Sequence, residues 1–291
     1  MIRTVKRVAA IHDLSGFGRS SLSVIIPVLS MMGAQVCPLP TAILSTHTGG
    51  FEDFSFVDLT DSMEKYIEHW RKLDIEFDCI YSGFLGSTKQ IEIVLKFIDM
   101  FENKDNLVVI DPVMADNGEL YSTMGIEMVE NMKKLVGKAD IITPNFTEAA
   151  YLLGKDYTNN ITDEEIKEWL VELSDMGPKI VIITSVPDNK LQKNTSVIAY
   201  DSEYKKFWKV SCRYIPAHFP GTGDIFTSVI VGSLLQGDSL PIALDRGVQF
   251  ITASIKASYG FQYPQREGVL LERVLGNLKM PVIVSSYELL E

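Results

Sequence analysis

Short runs of Val and Ile alternate along most of this chain with longer segments whose apolar residues recur every three or four positions. The runs fall at residues 8–11, 35–37, 79–81, 107–110, 141–142 and 180–183, and the helical patterns at 20–32, 59–73, 89–103, 125–136 and 163–176. A run that is apolar without alternation is buried on both faces, the condition of a parallel strand with helices packed above and below it. The rhythm therefore predicts an α/β fold with three α/β/α layers around a mostly parallel, doubly wound sheet. Two further strand-like runs, 195–200 and 205–210, flank Asp201-Ser202-Glu203-Tyr204 and predict an antiparallel hairpin, followed by helices at 224–236, 240–257 and 269–275. No compositional break and no fixed-period repeat divides the 291 residues, so one domain is expected to span 1–291.

Composition narrows the function. With 27 Lys and Arg against 38 Asp and Glu, a net charge of -11, the chain is a poor match for a phosphate backbone, and no nucleic-acid partner is expected; a local pocket for a small phosphorylated ligand stays open. The apolar stretches 24–32 and 225–235 carry polar residues and fall short of the roughly 20 residues that cross a bilayer, so no membrane partner is expected either. The start MIRTVKRVAAIHD turns polar too soon for a secretory leader, which predicts a cytoplasmic protein. Cys37, Cys79 and Cys212 are far apart and expected to be reduced, and His12, His47, His69 and His218 lack metal-binding spacing.

The residues just after the strands carry the chemistry. His12-Asp13, Ser82-Gly83-Phe84, Asp111-Pro112, Thr143-Pro144-Asn145 and Thr184-Ser185 are each expected just beyond a strand's carboxyl end, and in a doubly wound sheet those ends gather along one ligand-binding edge. Pro220-Gly221-Thr222-Gly223-Asp224 runs directly into the apolar helix 225–235. Glycines turn backbone N–H groups toward a ligand and a helix amino terminus favours an anion, so a phosphoryl group fits there. Asp224 in the first turn either complements the helix dipole or orients and deprotonates an attacking hydroxyl.

Asn145-Phe146-Thr147-Glu148 reads two ways as well: as a capping box, or as one anchor, with Asp111, for the waters of a Mg²⁺ ion. Asp116 is a second carboxylate close to Asp111 in sequence. A P-loop signature is absent, and Gly16-x-Gly18 and Gly221-x-Gly223 lack the third glycine of a dinucleotide fingerprint. Near the front, Asp13-Leu14-Ser15-Gly16-Phe17-Gly18 precedes a helix and Thr46-His47-Thr48-Gly49-Gly50-Phe51 is expected in a loop; with Phe84 they suit a flat heteroaromatic ligand.

In this order the segments Asp13 to Gly18, Thr46-His47-Thr48, Tyr81 to Ser87, Asp111-Pro112-Val113-Met114, Asn145 to Glu148 and Gly221-Thr222-Gly223-Asp224 resemble the pyridoxal kinase branch of the ribokinase-like superfamily. The resemblance implies ATP-dependent phosphorylation of the 5′-hydroxymethyl group of pyridoxal, pyridoxamine or pyridoxine. It assigns Asp224 as base and the N–H groups of Gly221, Thr222 and Gly223 as anion hole. Asp111, Asn145, Glu148 and Thr184 are assigned to Mg·ATP, and Asp13, His47, Thr48 and Phe84 to the vitamin pocket. It further implies a homodimer and assistance by K⁺. Asp13 stands where many pyridoxal kinases carry Ser, and Thr46 where Asn is usual. The first departure resembles the hydroxymethylpyrimidine kinases of thiamine synthesis, the alternative substrate class; a vitamer-binding protein without turnover is the other alternative.

Overall fold

The computed structural model describes residues 5–158, 160–188, 194–281 and 285–290. Its first third contains β1 (Arg7–Phe17), α1 (Leu22–Met31), β2 (Gln35–Thr46), β3 (Phe56–Asp58), α2 (Thr60–Lys72), β4 (Cys79–Ser82) and α3 (Thr88–Phe101). The middle contains β5 (Leu107–Ile110), β6 (Ala115–Asp116), β7 (Glu119–Leu120), α4 (Ile126–Val136), β8 (Ile141–Ile142), α5 (Phe146–Leu153) and α6 (Asp163–Asp175). The remainder contains β9 (Ile180–Asp188), β10 (Asn194–Asp201), β11 (Lys206–Arg213), α7 (Thr222–Gln236), α8 (Leu240–Tyr259), α9 (Leu271–Val274) and β12 (Tyr287–Leu289).

Ten strands form one sheet in the order β12-β11-β10-β9-β8-β5-β4-β1-β2-β3. The six central strands, from β9 across to β2, are parallel; β3 at one edge and β10, β11 and β12 at the other are antiparallel. Because β1 pairs with β2 on one side and β4 on the other, the winding reverses there and opens a crevice beyond their carboxyl ends.

Each face of the sheet has its own core, and the pleat sorts residues between them. Ala9 and Ile11 of β1 join Met63, Phe77, Phe97 and Leu170 under α2 to α6, whereas Val8 and Ala10 join Leu22, Ile25, Val229 and Leu244 under α1, α7 and α8. Complete burial of each of the larger of these side chains contributes roughly 1.5–3 kcal/mol. Helix α7 is buried from Ile225 to Ser233 without a break, because it lies against the sheet and between α1 and α8. Apolar and small polar residues on every side of the helix fit that position.

The expected α/β architecture holds, with corrections at the strand ends. Residues 13–17 are not a loop: after an irregularity at Asp13, β1 continues, pairing Leu14 with Ile43, Ser15 with Leu44 and Phe17 with Thr46. Strand β2 correspondingly runs nine residues past the expected end at Cys37, through Pro38 and Pro40, to Thr46. The prolines are tolerated because β3 pairs only with Ala42 to Leu44, leaving the outer edge of β2 unpaired where they sit. Thr184 and Ser185 likewise lie inside β9, at an irregularity in its pairing with β10 where Ser185 has φ 57°. The short strands β3, β6, β7 and β12 have no counterpart in the apolar pattern.

Candidate active site

A cavity of about 1080 Å³ opens along the carboxyl edge of the parallel strands. Asp13, Thr48, Phe84, Asp111, Asn145, Glu148, Thr184, Asp224 and the glycine loop 221–223 all line it, together with His47. Every residue that the sequence assigned to the site therefore reaches one space, although Asp13 and Thr184 come from irregularities within strands rather than from loops.

The loop ahead of α7 is built by close approach. Gly221 occupies the helix N-cap in the left-handed conformation, φ 81°, and a β-carbon there would stand 2.1 Å from the Arg19 carbonyl oxygen. Only glycine satisfies both conditions. The chain thus enters α7 with Thr222 and Gly223 in its first turn, where N–H groups have no helical acceptor. Asp224 follows in the same turn, its Oδ2 accepting the Ser21 N–H at 2.8 Å.

Asp224 is half-buried and belongs to a row of four carboxylates, of which Asp13, Asp111 and Glu148 are buried. Ser21 connects it to Asp13, whose Oδ1 accepts the Ser21 hydroxyl at 2.5 Å and whose Oδ2 accepts Ser15 Oγ at 3.2 Å. Burial raises the Asp13 carboxyl above its ordinary value, against the opposing pull of those two hydroxyls. Burial, with repulsion from Asp13, pushes Asp224 up to about 7. Burial and the Asp224 charge push Asp111 up to about 8, and burial with the Asp111 charge drives Glu148 well above the usual carboxylate range. Arg213 is the one Lys or Arg lining the cavity among the described residues, so the row lacks a protein counter-cation of its own.

Side-chain positions along the row are fixed by local bonds. Thr227, one turn after Asp224, donates to Thr143 Oγ1 at 2.9 Å, and both hydroxyls support Asp111. Asn145 and Glu148 form the reciprocal capping box of α5, with Asn145 Oδ1 accepting Glu148 N–H at 2.9 Å and Glu148 Oε2 accepting Asn145 N–H at 2.8 Å. Glu148 Oε1 also accepts the Met114 N–H at 3.0 Å. The two readings of this motif are thus compatible: capping anchors the carboxylate while it still faces the cavity. Tyr121 also lines the cavity, and partial desolvation together with Glu148, Asp116 and Asp111 raises its phenol above the ordinary value, although the residue as a whole is exposed.

At the other end, His47 has both ring nitrogens engaged within the protein. Nδ1 accepts the Gly49 N–H at 3.1 Å, so Nε2 carries the proton and donates to the Arg266 carbonyl at 2.6 Å. Burial lowers its pKa, in keeping with a neutral ring. Its edge packs on Phe51 at 5.0 Å between centroids, and Phe51 meets Phe17 at 5.9 Å. Of the residues expected in the vitamin pocket, His47 therefore shapes the wall, while Asp13, Thr48 and Phe84 border the space.

Ser21, Thr143 and Thr227 complete this arrangement, and sequence patterns did not single out Ser21 or Thr227. Ser21 is hidden in an ordinary Arg-Ser-Ser-Leu stretch, although its φ of 49° marks an unusual backbone. Thr227 is legible only once Asp224 is placed at the start of a helix, because residues three apart then share a face.

Comparison with known proteins agrees with this geometry. The phosphomethylpyrimidine kinase family model matches residues 26–269. A candidate phosphomethylpyrimidine kinase from Bacteroides thetaiotaomicron is 58% identical, with a TM-score of 0.96 over 99% of each chain; a second crystal form of it, at TM-score 0.95, contains pyridoxal. Pyridoxal kinase from Lactobacillus plantarum is 30% identical, with a TM-score of 0.86 over 94% of this chain and 97% of that one. Pyridoxal kinase of Arabidopsis thaliana is 28% identical over 251 residues, 84% of this chain and 78% of that protein. By the family match and the near-complete overlap with these structures, the chain belongs to the phosphomethylpyrimidine kinase family and has its ribokinase-like fold.

Proposed function

We propose that this protein is a kinase that transfers the γ-phosphoryl group of ATP to the 5′-hydroxymethyl group of a B6 vitamer, with Asp224 as base. The observation that carries the reading is the position of Asp224: half-buried in the first turn of α7, beside the glycine loop, with Asp13 on one side and Asp111 and Glu148 on the other. A carboxylate with a pKa of about 7 is suited to accept a proton at neutral pH. Asp224 takes the hydroxyl proton, and the Ser21 N–H holds its second oxygen in place. The N–H groups of Gly221, Thr222 and Gly223 face the anion produced at the transferring group. Asp13, Thr48 and Phe84 hold the heteroaromatic ring, and the half-buried Ile251 and Ile255 of α8 supply an apolar wall for the nucleotide base.

Asp111 and Glu148 suit a divalent cation because both are buried and mutually repelling, with no Lys or Arg among the groups that shift either carboxyl. A pair of carboxylates is a donor set that suits Mg²⁺, an ion that keeps its waters and uses few carboxylates. When bound with ATP, such an ion neutralises phosphate charge; Asp111 would hold it, and Glu148 would anchor its waters. Asn145 and Thr184 border the same end and are assigned to the nucleotide. K⁺ assistance, a homodimeric state and a cytoplasmic setting belong to the same proposal; exchange of K⁺ for Na⁺ in the assay and light scattering test the first two. No helix among the described residues is long and apolar enough to cross a membrane.

The pyridoxal-containing relative supports a B6 vitamer over an aminopyrimidine, since it shares 58% of its residues with this chain. The deciding experiment measures ADP release with Mg·ATP and K⁺ for pyridoxal, pyridoxamine, pyridoxine and hydroxymethylpyrimidine, with product masses determined. Turnover of a B6 vitamer is the expected result; preference for hydroxymethylpyrimidine overturns the substrate assignment, and no turnover with any of the four overturns the kinase reading.

A further inference from the structure

A single turn near the carboxyl end of the chain, Gln265–Glu267, touches three of the segments that surround the cavity. To the loop after β2 it offers the Arg266 carbonyl, which accepts the His47 Nε2–H, and the Arg266 guanidinium, which donates to the Gly50 carbonyl at 3.1 Å and lies 4.7 Å from the Phe51 ring centroid. To the segment between β1 and α1 it offers the Glu267 carbonyl, which accepts from both the Arg19 N–H at 3.1 Å and its Nη1 at 3.2 Å. To the segment before α7 it offers Gln265 Oε1, which accepts the His218 N–H at 3.2 Å.

The turn is itself fixed. Tyr263 Oη donates to the Gly268 carbonyl at 2.8 Å, and Ser258 Oγ of α8 accepts the Leu270 N–H at 2.8 Å. At Gly268, φ 81°, a β-carbon would lie 2.8 Å from the Arg19 carbonyl oxygen, the same oxygen that excludes a β-carbon at Gly221. The Arg19 backbone is therefore pressed between the start of α7 and this turn. Two residues further on, Ser21 holds both Asp13 and Asp224.

We infer that the turn Gln265–Glu267 locks the vitamer-side wall of the cavity to the amino end of α7, and that Arg266 is a positioning residue for the vitamer through Gly50, Phe51 and His47. This rests on the proposed B6 substrate only for its kinetic readout. Arg266 is exposed and contributes to neither core cluster, so replacing it by Ala leaves intact the backbone carbonyl that His47 uses. What the replacement takes away is the guanidinium, with its charge-assisted hydrogen bond to Gly50 and its cation–π interaction with Phe51. Together these correspond to about a tenfold change in an equilibrium.

The test pairs hydrogen exchange of the ligand-free protein with steady-state kinetics for the native chain, Arg266→Ala, Arg266→Lys and Gln265→Ala. In Arg266→Ala the amides of residues 47–53, above all the Gly49 N–H bonded to His47, are expected to exchange about tenfold faster at unchanged β4 protection. KM for the vitamer rises about tenfold, while KM for ATP and kcat change less than about threefold. Arg266→Lys recovers part of both effects, and Gln265→Ala loosens the segment around His218 without loosening 47–53. Unchanged exchange at 47–53 in Arg266→Ala overturns the inference, as does an equal rise in both KM values. If the native chain phosphorylates no B6 vitamer, the functional proposal fails while the exchange data still decide the role of the turn.

Discussion

Replacing Asp111 by Asn is expected to stabilise the ligand-free protein, and to do so more as pH rises. In the native chain, burial and the neighbouring Asp224 charge lift the Asp111 carboxyl from 3.8 to about 8. A carboxyl whose pKa is higher folded than unfolded binds its proton more tightly in the native state, so stability is greatest at low pH and declines as pH climbs from the unfolded value to the folded one. The difference of about four units corresponds to roughly 6 kcal/mol at full ionisation, as an upper bound. Of this, about 2 kcal/mol is lost below pH 5 and a further 3–4 kcal/mol between pH 5 and pH 8. Asn preserves the shape, keeps an oxygen acceptor for the Thr143 hydroxyl, and carries no charge. At roughly 2–4 °C per kcal/mol, the variant is expected to melt up to about 4–8 °C above the native protein at pH 5 and up to about 10–20 °C above it at pH 8, the gap widening with pH. Thermal melts from pH 5 to pH 8.5 measure this directly. Parallel curves for the two proteins, separated by a constant offset, would refute the argument that an uncompensated buried charge sits at Asp111. Addition of Mg·ADP supplies a contrast, because it should raise the native melting temperature strongly at pH 8 and the variant's much less.

Asp224→Asn is expected to lower kcat by two or more orders of magnitude with little change in ATP affinity, measured by steady-state kinetics and calorimetry; near-native turnover removes Asp224 from the role of base. In the native protein kcat/KM should rise with pH through a midpoint near 7, as Asp224 loses its proton, and Asp13→Asn should move that midpoint down because a neighbouring negative charge is gone; an unmoved midpoint separates the two groups electrostatically. Glu148→Gln should increase the Mg²⁺ concentration needed for half-maximal rate, and an unchanged Mg²⁺ titration excludes Glu148 from cation binding. Gly221→Ala should cost at least about 1–3 kcal/mol of stability and most of the activity, because the added carbon meets the Arg19 carbonyl in a left-handed backbone; a native-like melt and rate would show that the loop can shift freely.

The parallel sheet was legible because its strands are buried on both faces, which forces continuous apolar runs such as Leu107–Ile110. Helices such as α3 and α6 were legible for the complementary reason, one buried stripe each. The extensions of β1 and β2 were not, since residues 13–17 and 38–46 pair mainly with each other at the rim of the core and contain Gly, Ser and Pro in place of an apolar pattern. At the site, Gly221, Asp224, Asn145 and Glu148 stood out because a glycine turn and a capping box leave spacing signatures. His47 stood out too, yet its protonation state follows from Gly49 and from Arg266, a residue 219 positions away that local spacing could not connect to it. Ser21 shows the same limit: its link from Asp13 to Asp224 exists only after α7 packs beside α1.

The wall contacts made by Arg19 and His47 reach across more than two hundred residues to Glu267 and Arg266. On a ribosome, β1 to β5 emerge early and can pair through crossovers that do not involve the last tenth of the chain. The turn Gln265–Glu267 emerges well after β5, so the nascent protein acquires its central parallel strands long before it acquires a closed substrate wall. Vectorial synthesis would then leave an unfinished chain with the row of carboxylates already assembled in part but without a surface able to hold an alcohol against them. Assembly of the charged row and closure of the wall that faces it are thereby separated in time.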